Sequence, residues 1–122
     1  MTQIVTPAQI EARLYALSKE IDESYTELVD AEAVYNRIKS DYEIAMAKSR
    51  MTYASKSSPA GKNYTVQERD DMALLDNEWL HTQIAIAEAS VKAARANATR
   101  IKTQVEIARS IGTSVRTSMD LS

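Results

Sequence analysis

Apolar and small residues recur at alternating steps of four and three along two long stretches of the chain. The first runs Ile10, Leu14, Leu17, Ile21, Ser24, Leu28, Ala31, Tyr35, Ile38, Tyr42, Ala45. The second runs Leu80, Ile84, Ala87, Val91, Ala94, Ala98, Ile101, Val105, Ala108, Gly112, Val115, Met119. An interval averaging 3.5 residues, kept up in this way, holds one seam of a helix against a partner helix. The second seam is rich in alanine, which lets the partner approach closely.

Local signals place the ends of the two helices. Thr6-Pro7-Ala8-Gln9 combines a Thr N-cap, a proline at the first helical position and a glutamine able to reach back to the cap, so helix 1 is expected over about 7–55. The segment 56–64 gathers Pro59, Gly61 and small polar residues and reads as the loop. Thr65-Val66-Gln67-Glu68 is a second capping box, so helix 2 is expected over about 66–111. Gly112 reads either as a C-cap or as a small seam residue, and the Ser/Thr-rich 113–122 as a fraying polar tail. Met1 to Val5 carry no periodicity and read as an extended lead. The fold expected is all-α: a single domain over 1–122 built as a long antiparallel two-helix coiled-coil hairpin.

Charge supports that folding back. Net charge alternates along the chain: −5 over 1–47, +4 over 48–64, −5 over 65–90 and +4 over 91–122. Doubled back at the loop, unlike blocks face each other. Glu23, Glu27 and Asp30 come near Lys92, Arg95 and Arg100, and Lys48 and Arg50 come near Asp70, Asp71 and Asp76. Exposed pairs are worth only ~0–1 kcal/mol each, so they select orientation and register more than they stabilise.

A two-helix hairpin buries one stripe per helix, a thin core against the ordering entropy of the chain. Helix 2 carries a second stripe at the same interval: Leu75, Trp79, Thr82, Ile86, Ala89, Ala93, Ala96. Leu75, Trp79, Ile86, Ala89, Ala93 and Ala96 are therefore the expected protein interface, through which hairpins pair into an oligomeric bundle or recruit a partner. Trp79 is an anchor of that face before it is a base-stacking platform.

Composition narrows the chemistry. With 122 residues, two glycines, two prolines and no phenylalanine, the chain has a helix-forming composition. The absence of cysteine removes disulfides, thiolate metal sites and a Cys nucleophile. A lone histidine, His81, cannot assemble a His pair or a carboxylate–histidine metal site within one chain, and reads as a helix-surface residue. The acidic run Glu20, Asp22, Glu23, Glu27, Asp30, Glu32 falls mostly off the seam and reads as a solvated face. Gly61-Lys62 lacks the upstream glycine and strand of a phosphate-binding loop. No enzyme, cofactor or metal is expected. No apolar run approaches the ~20 residues of a membrane span, no basic and apolar leader is expected, and the expected location is the cytoplasm of a bacterial host.

Nucleic acid is the remaining candidate ligand. Lys48, Arg50, Lys56 and Lys62 with Tyr53 and Tyr64 place bases and aromatics at one end of the hairpin, able to track phosphates and stack bases. The plainer reading is a basic tip paired with the acidic start of helix 2. Arg95, Arg100, Lys102, Arg109 and Arg116 form a second basic set with the same two readings.

The chain resembles small helical proteins of bacteriophages, often encoded near genes for single-strand annealing proteins and exonucleases. The resemblance is carried by Ala31-Glu32-Ala33-Val34-Tyr35, by Ala45-Met46-Ala47-Lys48, by the alanine-rich basic stretch from Ala89 to Arg100, and by 100–111 with its Ser/Arg/Met tail. It implies a phage accessory or adaptor role in DNA recombination or replication, and no known active site. A virion or scaffold coiled coil and a small inhibitor of a host protein are the alternatives. Secreted hairpins with a Trp-x-Gly loop are a poor match, because Trp79 lies within helix 2.

Overall fold

The computed structural model describes residues 5–121, and these are all-helical apart from the connections. The order is α1 (Pro7–Ser55), α2 (Val66–Asp76) and α3 (Glu78–Leu121). The expected lead from Met1 to Ile4 lies outside the described residues.

The two capping boxes set the helix starts. At α1 the Gln9 N–H donates to Thr6 Oγ1 at 3.2 Å and the Thr6 N–H donates to Gln9 Oε1 at 2.9 Å, so each satisfies the other's orphan donor. At α2 the Glu68 N–H donates to Thr65 Oγ1 at 3.1 Å. The connection between them is a tight turn in which the Ser58 N–H donates to the Lys62 carbonyl at 2.8 Å and the Gly61 N–H to the Ser58 carbonyl at 2.9 Å. Gly61 takes φ +77°, a conformation that a Cβ disfavours.

The described residues pack as two compact units. One joins the chain up to Asp30 to the chain from Lys92 onward; the other is Ala31–Val91. In the first, Leu17, Ile101, Val105 and Ala108 form a buried cluster against which Leu14 and Ile21 pack. Leu17 is wholly buried. Ser24, 2 % exposed, occupies a seam position without cost because its hydroxyl donates to the Ile21 carbonyl at 2.8 Å. The Arg13 guanidinium donates to Gln104 Oε1 at 3.4 Å, and Ile10 lies against Gly112.

In the second unit the pairs run Tyr53 with Tyr64, Arg50 with Asp70, Ser49 with Asn77 and Tyr42 with His81, so one number falls as the other rises. The buried residues are Met46, Ala73, Ala87 and Val91. Here α1 departs from the strict interval: Ala45 is half-buried, while Met46 is buried and the seam continues through Ser49 and Tyr53. Two successive four-residue steps, Ile38 to Tyr42 to Met46, turn the seam around the helix as a stutter does.

Two further differences from the sequence reading concern the second long helix. It is interrupted at Asn77, which caps α2 with φ −114° and ψ 22°, its N–H still donating to the Ala73 and Leu74 carbonyls. It also continues through Gly112 to Leu121, where a frayed tail was expected over 113–122. Gly112 is a buried seam residue in mid-helix rather than a C-cap: a Cβ there would sit 3.2 Å from Ile10 Cγ2.

Candidate interaction surfaces

The basic and aromatic residues around the turn meet one another more than they face solvent. Arg50 Nε donates to Asp70 Oδ1 at 2.8 Å in an ion pair about half exposed on both sides, which limits its worth to about 1 kcal/mol. Tyr53 and Tyr64 pack edge to face with ring centroids 5.3 Å apart and an angle of 80°. Lys56 Nζ stands 5.7 Å from the centre of the Tyr53 ring. The Tyr53 hydroxyl is held above the ordinary phenol range, first by its hydrogen bond to the Asp76 carboxylate and then by partial desolvation and the same negative charge. Arg69 Nε donates to the Tyr64 carbonyl at 3.2 Å.

The sequence-derived group of Lys48, Arg50, Tyr53, Lys56, Lys62 and Tyr64 is thus only partly one site. Arg50, Tyr53, Lys56 and Tyr64 are brought together and internally matched with Asp70 and Asp76, and Lys48 and Lys62 stand exposed on either side. Two tyrosines stacked on each other offer less face to a nucleobase than two splayed ones.

The second stripe of the later helices is uncovered. Leu75 is 65 % exposed, Trp79 71 % and Ile86 54 %, and Ala89, Ala93 and Ala96 are exposed as well. A tryptophan left in water forgoes the burial that makes it an anchor, at ~25 cal/mol per Å². No polar partner explains its position. His81 is exposed, its ring 5.8 Å from that of Tyr42 at 58°. Among the described residues no group of three or more His, Cys, Asp or Glu side chains could hold a metal ion, and no helix is long and apolar enough to cross a membrane.

Two grooves in the first unit were not anticipated as sites. One, of about 380 Å³, is polar and brings Glu20, Glu23 and Glu27 to the same crevice as Arg13 and Arg100, in keeping with the charge blocks. The other, of about 660 Å³, is open and apolar, with Val5 and Pro7 facing Ile111, Val115 and Met119. It exists because α3 stays helical after Gly112, which a Ser/Thr-rich tail did not suggest.

A comparison of the chain with protein-family models, curated proteins and solved structures finds no match.

Proposed function

We propose that the chain is a non-enzymatic, self-associating antiparallel helical hairpin that acts as an adaptor. The antiparallel course is supported in each unit by the opposed numbering of its pairs: Arg50 with Asp70 and Tyr42 with His81 in one, Ile10 with Gly112 and Arg13 with Gln104 in the other. The observation that carries the adaptor reading is the exposed row Leu75, Trp79, Ile86. Three large apolar side chains at 4- and 7-residue spacings on one face mark a surface built to be covered. The resemblance carried by 31–35, 45–48 and 100–111 places that adaptor among bacteriophage accessory proteins serving DNA recombination or replication.

Nucleic acid enters this reading through Lys48, Lys56 and Lys62, since Arg50 is matched by Asp70. So small a charge predicts weak, steeply salt-dependent binding. A gel-shift series from ~50 to ~200 mM salt tests it, with Lys48→Gln/Lys62→Gln as the control. Loss of binding in that variant supports contact at the turn. No shift at the lowest salt leaves an adaptor that works through protein alone.

The second reading is a virion or scaffold component, favoured by the same stripe if its pairing propagates. Large, concentration-dependent assemblies or recovery with particles identify it; a discrete small oligomer rules it out.

A further inference from the structure

Because α3 is one uninterrupted helix from Glu78 to Leu121, its exposed second stripe can be followed turn by turn. Its first half carries the large residues and its second half the small ones: Trp79 and Ile86, then Ala89 and Ala93, with Leu75 preceding on α2. A stripe that tapers in this way cannot pack evenly against a parallel copy of itself. Trp79 would meet Trp79 at one end, and alanine would face alanine at the other.

Turned end for end, the stripe complements itself. In an antiparallel pair the residues of one layer have numbers that sum to a constant, and the 4-3 interval is preserved when that sum is 168. Trp79 then lies against Ala89 of the partner subunit, Thr82 against the partner's Ile86, and Leu75 against the partner's Ala93. Large meets small in the outer layers, as close packing of two helices requires. The flanking charges follow the same axis. Glu78 falls opposite the partner's Lys92, and Glu68 at the edge of the stripe opposite the partner's Arg100, each pair occurring twice by symmetry. The acidic first part of the stripe thus covers the basic last part of its copy.

We infer that a second copy of this chain docks antiparallel on the Leu75–Trp79–Ile86 face, with the two-fold axis passing close to Ala85. This rests on the self-association reading above and adds to it the partner, the orientation and the register.

The chain has no cysteine, so single thiols report the register directly. In Ala85→Cys the two thiols lie beside the axis, and a short bismaleimide links them. In Ala93→Cys they are separated by about 25 Å at 1.5 Å per residue, and the same reagent does not link them. Glu78→Lys raises the dissociation constant roughly three- to tenfold, the scale of two exposed ion pairs. Adding Lys92→Glu to it restores the original value. Far-ultraviolet circular dichroism on each variant confirms that the helices are intact. A dimer that cross-links at 93 and not at 85, or an exchange of charges that fails to restore association, overturns the antiparallel register while leaving self-association in place. A fully helical monomer at ~100 µM, a concentration at which even a weak specific contact would register, overturns both.

Discussion

The Asn77 side-chain amide donates to the Ser49 hydroxyl at 3.0 Å, joining the break between α2 and α3 to α1. The same nitrogen reaches the Ala73 carbonyl at 2.8 Å and lies 3.8 Å from Met46 Sδ. One polar residue therefore sits where α1 shifts its seam and where the later helix is interrupted. A lone asparagine at a seam position fixes register at some cost in stability. Asn77→Ala removes the cap interactions and the bond to Ser49 together, and is expected to destabilise the fold by about 1–2 kcal/mol. Urea unfolding followed by circular dichroism measures it, and an unchanged midpoint would show that Asn77 is a bystander.

Leu17 and Leu75 are the same residue type in opposite settings, the first wholly buried and the second 65 % exposed. Leu17→Ala should cost about 2–5 kcal/mol at any protein concentration. Leu75→Ala should cost little when the chain is dilute and should weaken stability only where the chain associates. Equal losses for both at low concentration would remove the distinction between core and docking face.

Gly112 gives a prediction of the opposite sign. Alanine is the better helix former by about 1 kcal/mol, and its Cβ meets only Ile10 Cγ2, which stands in the first turn of α1 and can yield by a few tenths of an ångström. Gly112→Ala is expected to raise the unfolding midpoint, by the equivalent of about 0.5 kcal/mol once the tighter contact is subtracted from the propensity gain. Gly112→Leu forces a larger shift and should lower it. Stabilisation by leucine would mean that α3 does not approach α1 so closely.

The Tyr53 hydroxyl ionises above the ordinary phenol range because it is hydrogen-bonded to Asp76 and faces that negative charge. A phenol whose ionisation is held up by folding adds stability that is fully present below the unfolded value of about 10 and is lost as pH rises through the folded one. Ultraviolet titration of the six tyrosines should therefore show one late component, absent from Tyr53→Phe. A titration identical in the two proteins would mean that the Tyr53–Asp76 contact does not form.

Much of this architecture was written in local pattern, because local pattern is what sets a long helix. The Thr6–Gln9 and Thr65–Glu68 boxes mark helix starts through bonds three residues apart, and the 4-3 rows name every seam residue from Ile10 to Tyr42 and from Leu80 to Val115. What escaped depends on contacts distant in sequence. Met46 replaces Ala45 in the core where the Asn77 break packs against α1, and Asn77 is recognisable as a cap only once Ser49 faces it. The helix after Gly112 escaped for the same reason, since its glycine is retained for Ile10 and not for a turn. At the turn, the residue types suggested a phosphate-tracking tip, and pairing of Arg50 with Asp70 and of Tyr53 with Tyr64 reduced it to a balanced cluster.

The claim on which the account turns is that the exposed face around Trp79 is an interface. Sedimentation equilibrium on the wild type and on Trp79→Glu, at matched concentrations, tests it most directly. The account predicts twice the 13.6 kDa chain mass for the wild type and a single chain for the variant, with equal helicity in both. A wild type that sediments as one chain, or a variant that keeps the full oligomer, would contradict it.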